Sequence, residues 1–121
     1  MLNYLVFDRS EGDDGVGSWD ALAQPRAAHS TSVMHETSAL LQGLQERWGP
    51  PGPLDEGHAW DFELQVRDEQ DHEWPWTWSA QGLHWQREPA AQTVLKLALS
   101  LCAAEHLQSE VDQMLTGPAA L

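Results

Sequence analysis

The sequence predicts an α+β domain in which an antiparallel sheet of four to five strands carries two helices on one face, in the order β-α-β-β-β-β-α. Three observations predict this class. Apolar residues recur every three or four positions between residues 25 and 48, they alternate with polar residues between 60 and 85, and four leucines alternate between 95 and 101. The first spacing is typical of a helix and the other two are typical of strands. Consecutive hairpins make an antiparallel sheet, and helices cover one of its faces.

The length of 121 residues predicts one α+β domain spanning residues 1–121, since domains cluster near ~100–150 residues. A chain of this size buries roughly 65% of its unfolded surface, so it needs no metal or disulfide to hold a core. Its single cysteine, Cys102, excludes an internal disulfide and a CxxC motif. We therefore expect a reduced thiol.

The first strand is predicted at residues 2–7, which are apolar on both faces of the pleat and indicate a strand in the middle of a sheet. Residues 8–17 are predicted to form a loop, because three glycines and four acids leave little to pack. Ser18 is a candidate cap for a short helical turn that ends before Pro25.

The first helix is predicted to begin at Pro25, because a proline suits the first helical position. One apolar stripe follows at helical spacing, made of Val33, Thr37, Leu40, Leu41, Leu44 and Trp48. Gly49 is predicted to cap the C-terminal end of this helix, and the prolines after it prevent its continuation. Residues 49–57 then form a stiff connection to the next strand.

Two strands and a short return strand are predicted next. Residues 60–67 alternate between apolar and polar side chains, which indicates a strand with one wet face. Residues 74–80 alternate again around Pro75, which restricts this strand to a sheet edge or a bulge. Gln81 and Gly82 turn the chain into a return strand through Leu83 and Trp85.

Residues 89–116 have two interpretations, one long helix or a strand followed by a helix. The strict alternation of leucines from Leu95 to Leu101 favours the strand, with the helix starting at about Cys102. The high helix propensity of Ala, Leu, Lys and Gln favours the single helix. With the strand, the element order resembles the TATA-binding-protein-like arrangement and, more loosely, ferredoxin-like sandwiches. This resemblance concerns element order alone and implies no function.

The charge excludes several classes of partner. The net charge is −13, and Lys96 is the single lysine. A surface this negative repels phosphate backbones and anionic lipids, so we expect no nucleic-acid partner and no membrane binding. The start of the chain lacks the basic region and the long apolar run of a signal peptide, and no apolar run approaches ~20 residues. These features predict a cytoplasmic protein.

A divalent-metal site is one candidate for chemistry. Four carboxylates follow the first predicted strand: Asp8, Glu11, Asp13 and Asp14. Oxygen ligands of this kind suit Ca²⁺ or Mg²⁺, although the spacing does not match an EF-hand. A solvated loop is the other interpretation. The nearby glycines lack the full dinucleotide fingerprint, so no cofactor is predicted.

Motifs for catalysis are absent from the sequence. The six histidines are scattered, without an HExxH motif, and no GxSxG, SxxK or P-loop motif occurs. Cys102 becomes a candidate nucleophile only if it begins a helix, where the dipole lowers a thiol pKa. Whether the protein is an enzyme stays open, and the sequence favours a non-enzymatic protein.

Tryptophans and acids supply the candidate binding residues. Trp74, Trp76 and Trp78 share one face of a strand, either as core or as an exposed aromatic platform. Eight acids lie within residues 55–73, and Asp61 and Glu63 share the wet face of their strand. This density either serves solubility or complements a basic partner.

Three functional hypotheses remain. The preferred one is a small acidic non-enzymatic interaction module that docks a basic protein through these tryptophans and acids. Small bacterial inhibitor or immunity proteins are acidic α+β domains of this sort, and the comparison with them is an analogy. The second is a small-ligand or divalent-metal-binding domain, with or without catalysis. The third is a structural domain without a discrete site. A tryptophan-rich edge strand would also suit a homodimer.

Overall fold

The computed structural model describes residues 5–11, 16–23, 30–79, 81–88 and 93–116. The α+β class is confirmed within these residues. In chain order the elements are β1 (Phe7–Glu11), β2 (Gly17–Ala23), α1 (Ser30–Trp48), β3 (Trp60–Asp68), β4 (Trp76–Ser79), β5 (Gly82–Trp85), β6 (Leu95–Ala103) and α2 (Gln108–Thr116).

The strands form a four-stranded antiparallel sheet in the order β1-β2-β6-β3, and β4 pairs with β5 in a separate hairpin. β6 lies inside the large sheet and pairs with β2 on one side and β3 on the other. Its register places Leu99 opposite Ala21 and Leu64. The last of the described strands therefore connects the β1–β2 pair to β3.

Of the two interpretations of residues 89–116, the described part, residues 93–116, shows the strand followed by a helix. All four alternating leucines of β6 are buried, because they point to the same face of the sheet. The helix begins later than predicted, since Cys102 still belongs to β6 and a short 3-10 helix, Glu105–Leu107, precedes α2. Packing of the leucines overrides their helix propensity here.

The beginning of the chain differs from the prediction. Of the residues 8–17 expected as a loop, 8–11 belong to β1 and Gly17 begins β2, while 12–15 lie outside the described part; Ser18 lies in β2 instead of capping a helical turn. The first strand is an edge strand and not a central one, with Val6 77% exposed beside it. Residues 1–4 of the predicted strand lie outside the described part. The hairpin adds one strand before α1 to the element order that suggested the TATA-binding-protein-like resemblance.

Helix α1 confirms the predicted stripe and its C-terminal end. Val33, Leu41 and Leu44 are almost fully buried. Gly49 has a positive φ of 87° and donates its N–H to the Gln45 carbonyl, which ends the helix as a glycine cap does. The predicted start at Pro25 lies outside the described residues.

Both helices lie on one face of the four-stranded sheet. Trp19 of β2 is 0% exposed and donates its Nε1–H to Asp112 of α2 at 3.2 Å. Arg9 of β1 donates to Gln108 of the same helix at 2.8 Å. A Cβ added to Gly43 of α1 would lie 2.9 Å from the Met114 side chain, so the two helices touch each other. We call this side of the sheet the buried face.

The β4–β5 hairpin is attached to α1. The Leu83 N–H donates to Ser38 Oγ at 3.0 Å. Gly82 has a φ of 106°, and a Cβ on it would lie 2.5 Å from the same oxygen, so only glycine fits this position. No helix in the described ranges is long and apolar enough to cross a membrane.

Candidate functional site

The opposite side of the four-stranded sheet carries no helix in the described part of the chain, and we call it the open face. Side chains alternate between the two faces along each strand. The open face is formed by Asp8, Ser10, Ser18, Asp20, Leu22, Asp61, Glu63, Gln65, Arg67, Lys96, Ala98, Ser100 and Cys102. On β3 the open-face side chains are exposed or half-buried, whereas Trp60, Leu64 and Val66 between them are buried, which confirms the predicted wet face of this strand.

An acidic row crosses all four strands of the open face. The register places Asp8, Asp20, Ser100 and Glu63 side by side. Ser100 Oγ donates a hydrogen bond to Asp20 Oδ1 at 2.6 Å. Asp8 stands directly opposite Asp20, an arrangement that destabilises an antiparallel pair when both residues carry the same charge.

The next row toward one end of the sheet contains hydroxyl, thiol and carboxyl groups. It places Ser10, Ser18, Cys102 and Asp61 side by side. Partial burial, followed by the negative charge of Asp61, raises the pKa of the Cys102 thiol, although the Asp61 N–H acts in the opposite direction. Cys102 is therefore not an activated nucleophile at a helix N-terminus, because it lies in a strand beside a carboxylate.

On the other side of the acidic row lies an apolar row. It contains Val6, Leu22 and Ala98, followed by Gln65 on β3. Leu22 is 80% exposed and Val6 is 77% exposed, and these two are the exposed large hydrophobic residues of the described chain. Isolated exposed apolar side chains are common. Two neighbouring ones form a joined apolar surface, and its exposure to water is unfavourable.

A basic row ends the open face. Arg67 of β3 stands directly opposite Lys96 of β6. The Arg67 guanidinium also donates to the Asp71 carbonyl at 3.1 Å and lies 3.9 Å from the Asp71 carboxylate. The four rows therefore run from acids through apolar side chains to cations.

Three shallow depressions follow these rows. The first, of about 320 Å³, is lined by Asp61, Glu63 and Asp20 among others. The second, of about 330 Å³, shares Asp20 and extends to Leu22. The third, of about 270 Å³, shares Leu22 and extends to Lys96 and Arg67. Neighbouring depressions share lining residues, and we call the three depressions together the trough.

The predicted partner-binding residues lie on two different sides of β3. Asp61 and Glu63 belong to the open face. Phe62, between them, points to the other side and contacts Trp76 and Trp78, with ring centroids 6.0 and 5.5 Å apart. The structure therefore does not bring these acids and tryptophans into one surface.

Trp74 belongs to the core. It is 8% exposed, and its Nε1–H donates to the Arg87 carbonyl at 2.9 Å. The Arg87 guanidinium lies 4.1 Å from the centroid of the ring. Trp76 and Trp78 are half-buried against the same core. This packing favours the core interpretation of the tryptophans over an exposed platform.

The predicted metal ligands are only partly described. Asp8 lies in β1 on the open face, and Glu11 ends the same strand. Asp13 and Asp14 lie outside the described residues. Within the described ranges, no three His, Cys, Asp or Glu side chains are close enough together to hold a metal ion.

The sequence did not predict most members of the trough, among them Asp20, Leu22 and Ser100 of its acidic and apolar parts and Arg67 and Lys96 of its basic part. The alternation of Trp19, Ala21 and Ala23 with other residues was the signal that could have placed Asp20 and Leu22 on a wet sheet face.

Comparison with known proteins gives no relative on which to base a function. No protein-family model matches the chain, and no curated protein and no solved structure matches it either.

Proposed function

We propose that this chain is a non-enzymatic interaction module that docks a basic protein on the open face of its sheet. The acids of that face carry the attraction. No basic side chain within the described ranges forms an ion pair with Asp8, Asp20, Asp61 or Glu63. Carboxylates that form no ion pair with the basic side chains of the described ranges, on a protein with a net charge of −13, attract and orient a basic partner.

The observation that carries the proposal is the apolar row beside the acidic row. Solubility alone would explain carboxylates anywhere on the surface. It does not explain why Leu22 and Val6 are exposed next to them. An apolar patch bordered by charges is typical of protein–protein contact surfaces, where burial of the patch adds affinity and the charges add specificity.

The open face replaces the combination of acids and tryptophans as the docking surface. Asp61 and Glu63 keep the role that the sequence suggested for them. The apolar contribution comes from Leu22 and Val6, because Trp74 is buried and Trp76 and Trp78 pack on Phe62 on the other side of β3.

A pair of matched variants tests this proposal. The first is Asp8→Asn with Glu63→Gln, which removes two charges from the open face. The second is Glu46→Gln with Glu110→Gln, which removes two exposed charges from the helices on the other side. Each variant and the wild type, all tagged, capture proteins from a lysate of the native host, with washes at low and high salt.

We expect one basic protein to be retained in stoichiometric amount by the wild type and by the helix-side variant, and to be lost from the open-face variant. Release of this protein by high salt would agree with an electrostatic contact. Equal loss from both variants would indicate nonspecific attraction to an acidic protein and would refute the open face as the docking surface. Equal retention by both would refute it as well.

A further inference from the structure

The charges of the open face are separated by sign. Like charges stand directly opposite each other in the acidic row and in the basic row, Asp8 opposite Asp20 and Arg67 opposite Lys96. Between these two rows lie Leu22 and its apolar neighbours. Rows two residues apart on a strand are about 6.6–6.8 Å apart, so the acidic and basic rows are separated by about 13 Å.

This separation does not serve the stability of the isolated sheet. Opposite charges on facing strand positions stabilise an antiparallel pair, whereas like charges destabilise it. The chain nevertheless places its single lysine, Lys96, beside Arg67. Other arginines in the described ranges make contacts within the fold, since Arg9 binds α2, Arg47 covers Trp48 and Arg87 covers Trp74. Lys96 is exposed on the open face instead.

We infer, on the basis of the proposed function, that the basic partner presents a contact segment with its own order of charges. Lysine or arginine side chains of this segment lie over the acidic row. A nonpolar side chain lies against Leu22 and Val6. An aspartate or glutamate lies over the basic row, so the partner binds in one orientation.

A second copy of this chain is another possible occupant. If two open faces met around a two-fold axis along the apolar row, each acidic row would lie on the basic row of the other copy. Net charge argues against it. Two chains of −13 each repel one another, and the open face offers Arg67 and Lys96 against four carboxylates. A basic protein satisfies the excess of acids, so it is the occupant that we propose.

Two synthetic helical peptides test the order of charges. A helix laid along the strands places residues i, i+4 and i+8 about 6 Å apart, which fits the spacing of the rows. The bipolar peptide carries lysines at one end, leucine in the middle and glutamates at the other end. The uniform peptide has the same leucine with lysines at both ends. Binding of each to the full chain is measured by NMR titration.

We expect both peptides to shift the amide signals of β2 and β6 in the wild type. Lys96→Glu is then expected to weaken the bipolar peptide by about fivefold and to strengthen the uniform peptide. A variant that merely disturbed the fold would weaken both peptides. Lys96→Arg keeps the charge and is expected to bind both peptides as the wild type does.

The outcomes separate this inference from the proposed function. If the uniform peptide binds and Lys96→Glu does not weaken the bipolar peptide, the inference is overturned and the acidic docking surface remains. If neither peptide binds the open face, both proposals fail. If sedimentation shows a dimer that Lys96→Glu dissociates, a second copy occupies the face and the inference is overturned.

Discussion

The two faces of the four-stranded sheet are made by the same strands but follow different rules. On β6, Leu97, Leu99 and Leu101 point into the buried face, while Lys96 and Ser100 point to the open face. The buried face is apolar at its centre, because the helices cover it, and Arg9 at its edge binds α2. The open face places like charges opposite each other, which folding does not require. This pattern is the basis of the docking surface that we propose.

The largest difference between the faces is expected from one substitution made on each. Leu99 is 1% exposed and Leu22 is 80% exposed, and they lie at adjoining positions of paired strands. Leu99→Ala is expected to lower the free energy of unfolding by about 2–5 kcal/mol, because it leaves a cavity in the core. Leu22→Ala is expected to change it by less than about 0.5 kcal/mol. Urea unfolding measures both values.

This pair also tests whether the open face is exposed in solution. A loss of similar size for both variants would show that Leu22 is covered in the isolated protein. The open face would then not be free for a partner.

A second difference concerns Asp68, whose carboxylate accepts hydrogen bonds from backbone N–H groups of the fold itself. The His72 backbone N–H, together with the Gln70 N–H and the His72 charge, holds the pKa of Asp68 below its ordinary value of 3.8, although partial burial acts in the other direction. A carboxyl whose pKa is lowered by folding stabilises the protein above its unfolded pKa. This contribution disappears as the pH falls through the folded pKa.

We therefore expect Asp68→Asn to destabilise the protein at neutral pH, and the difference from the wild type to shrink as the pH falls below about 4. Urea unfolding at a series of pH values measures it. The neighbouring exposed residue provides a control, Glu69→Gln, which should show no such pH-dependent loss. A difference that stays constant down to strongly acidic pH would contradict the role of the Asp68 charge.

A smaller effect is expected at Cys102 on the open face. Burial and the Asp61 carboxylate raise the pKa of its thiol, so its reaction with iodoacetamide should be slow at neutral pH and faster as the pH rises. Asp61→Asn removes one of the two causes and should speed the reaction. Glu63→Gln, which removes a charge from the next row, should have less effect. Equal rates in Asp61→Asn and the wild type would contradict an effect of the Asp61 charge on the pKa of the Cys102 thiol.

The smallest effect is expected from Asp8. Asp8→Asn removes one of two like charges that stand opposite each other, so it should stabilise the protein by about 0.2–1 kcal/mol at low salt. The gain should decrease in high salt, which screens exposed charges. Asp55→Asn removes an exposed charge outside the sheet and serves as the control. Destabilisation by Asp8→Asn would show that this carboxylate has a stabilising contact.

Much of the fold could be predicted because apolar periodicity follows burial. The stripe through Val33, Leu41 and Leu44 and the alternation along β3 and β6 each correspond to a face that packs on the core. The β1–β2 hairpin was not predicted, because its open-face positions carry acids and serines that resemble a loop. Its inward-facing residues, such as Trp19 and Ala21, do alternate with outward-facing ones. The glycines beside them gave this segment the composition of a loop.

The candidate site was predicted only in part. The alternation of residues 60–67 placed Asp61 and Glu63 on a wet face, which the structure confirms. Leu22 and Lys96 could not be joined to them from the sequence, because the order of strands in the sheet is set by long-range pairing. Only the placement of β6 between β2 and β3 brings these side chains onto one surface.

This placement of β6 has a consequence for the order in which the chain folds. During synthesis, β2 and β3 emerge before the strand that lies between them, so neither can form its ladder with β6 until Leu95–Ala103 has been made. Until then the leucines that close the core are missing. We expect the sheet to complete after most of the chain has left the ribosome, and to fold more slowly than a helical bundle of the same length, because its contacts join residues far apart in sequence.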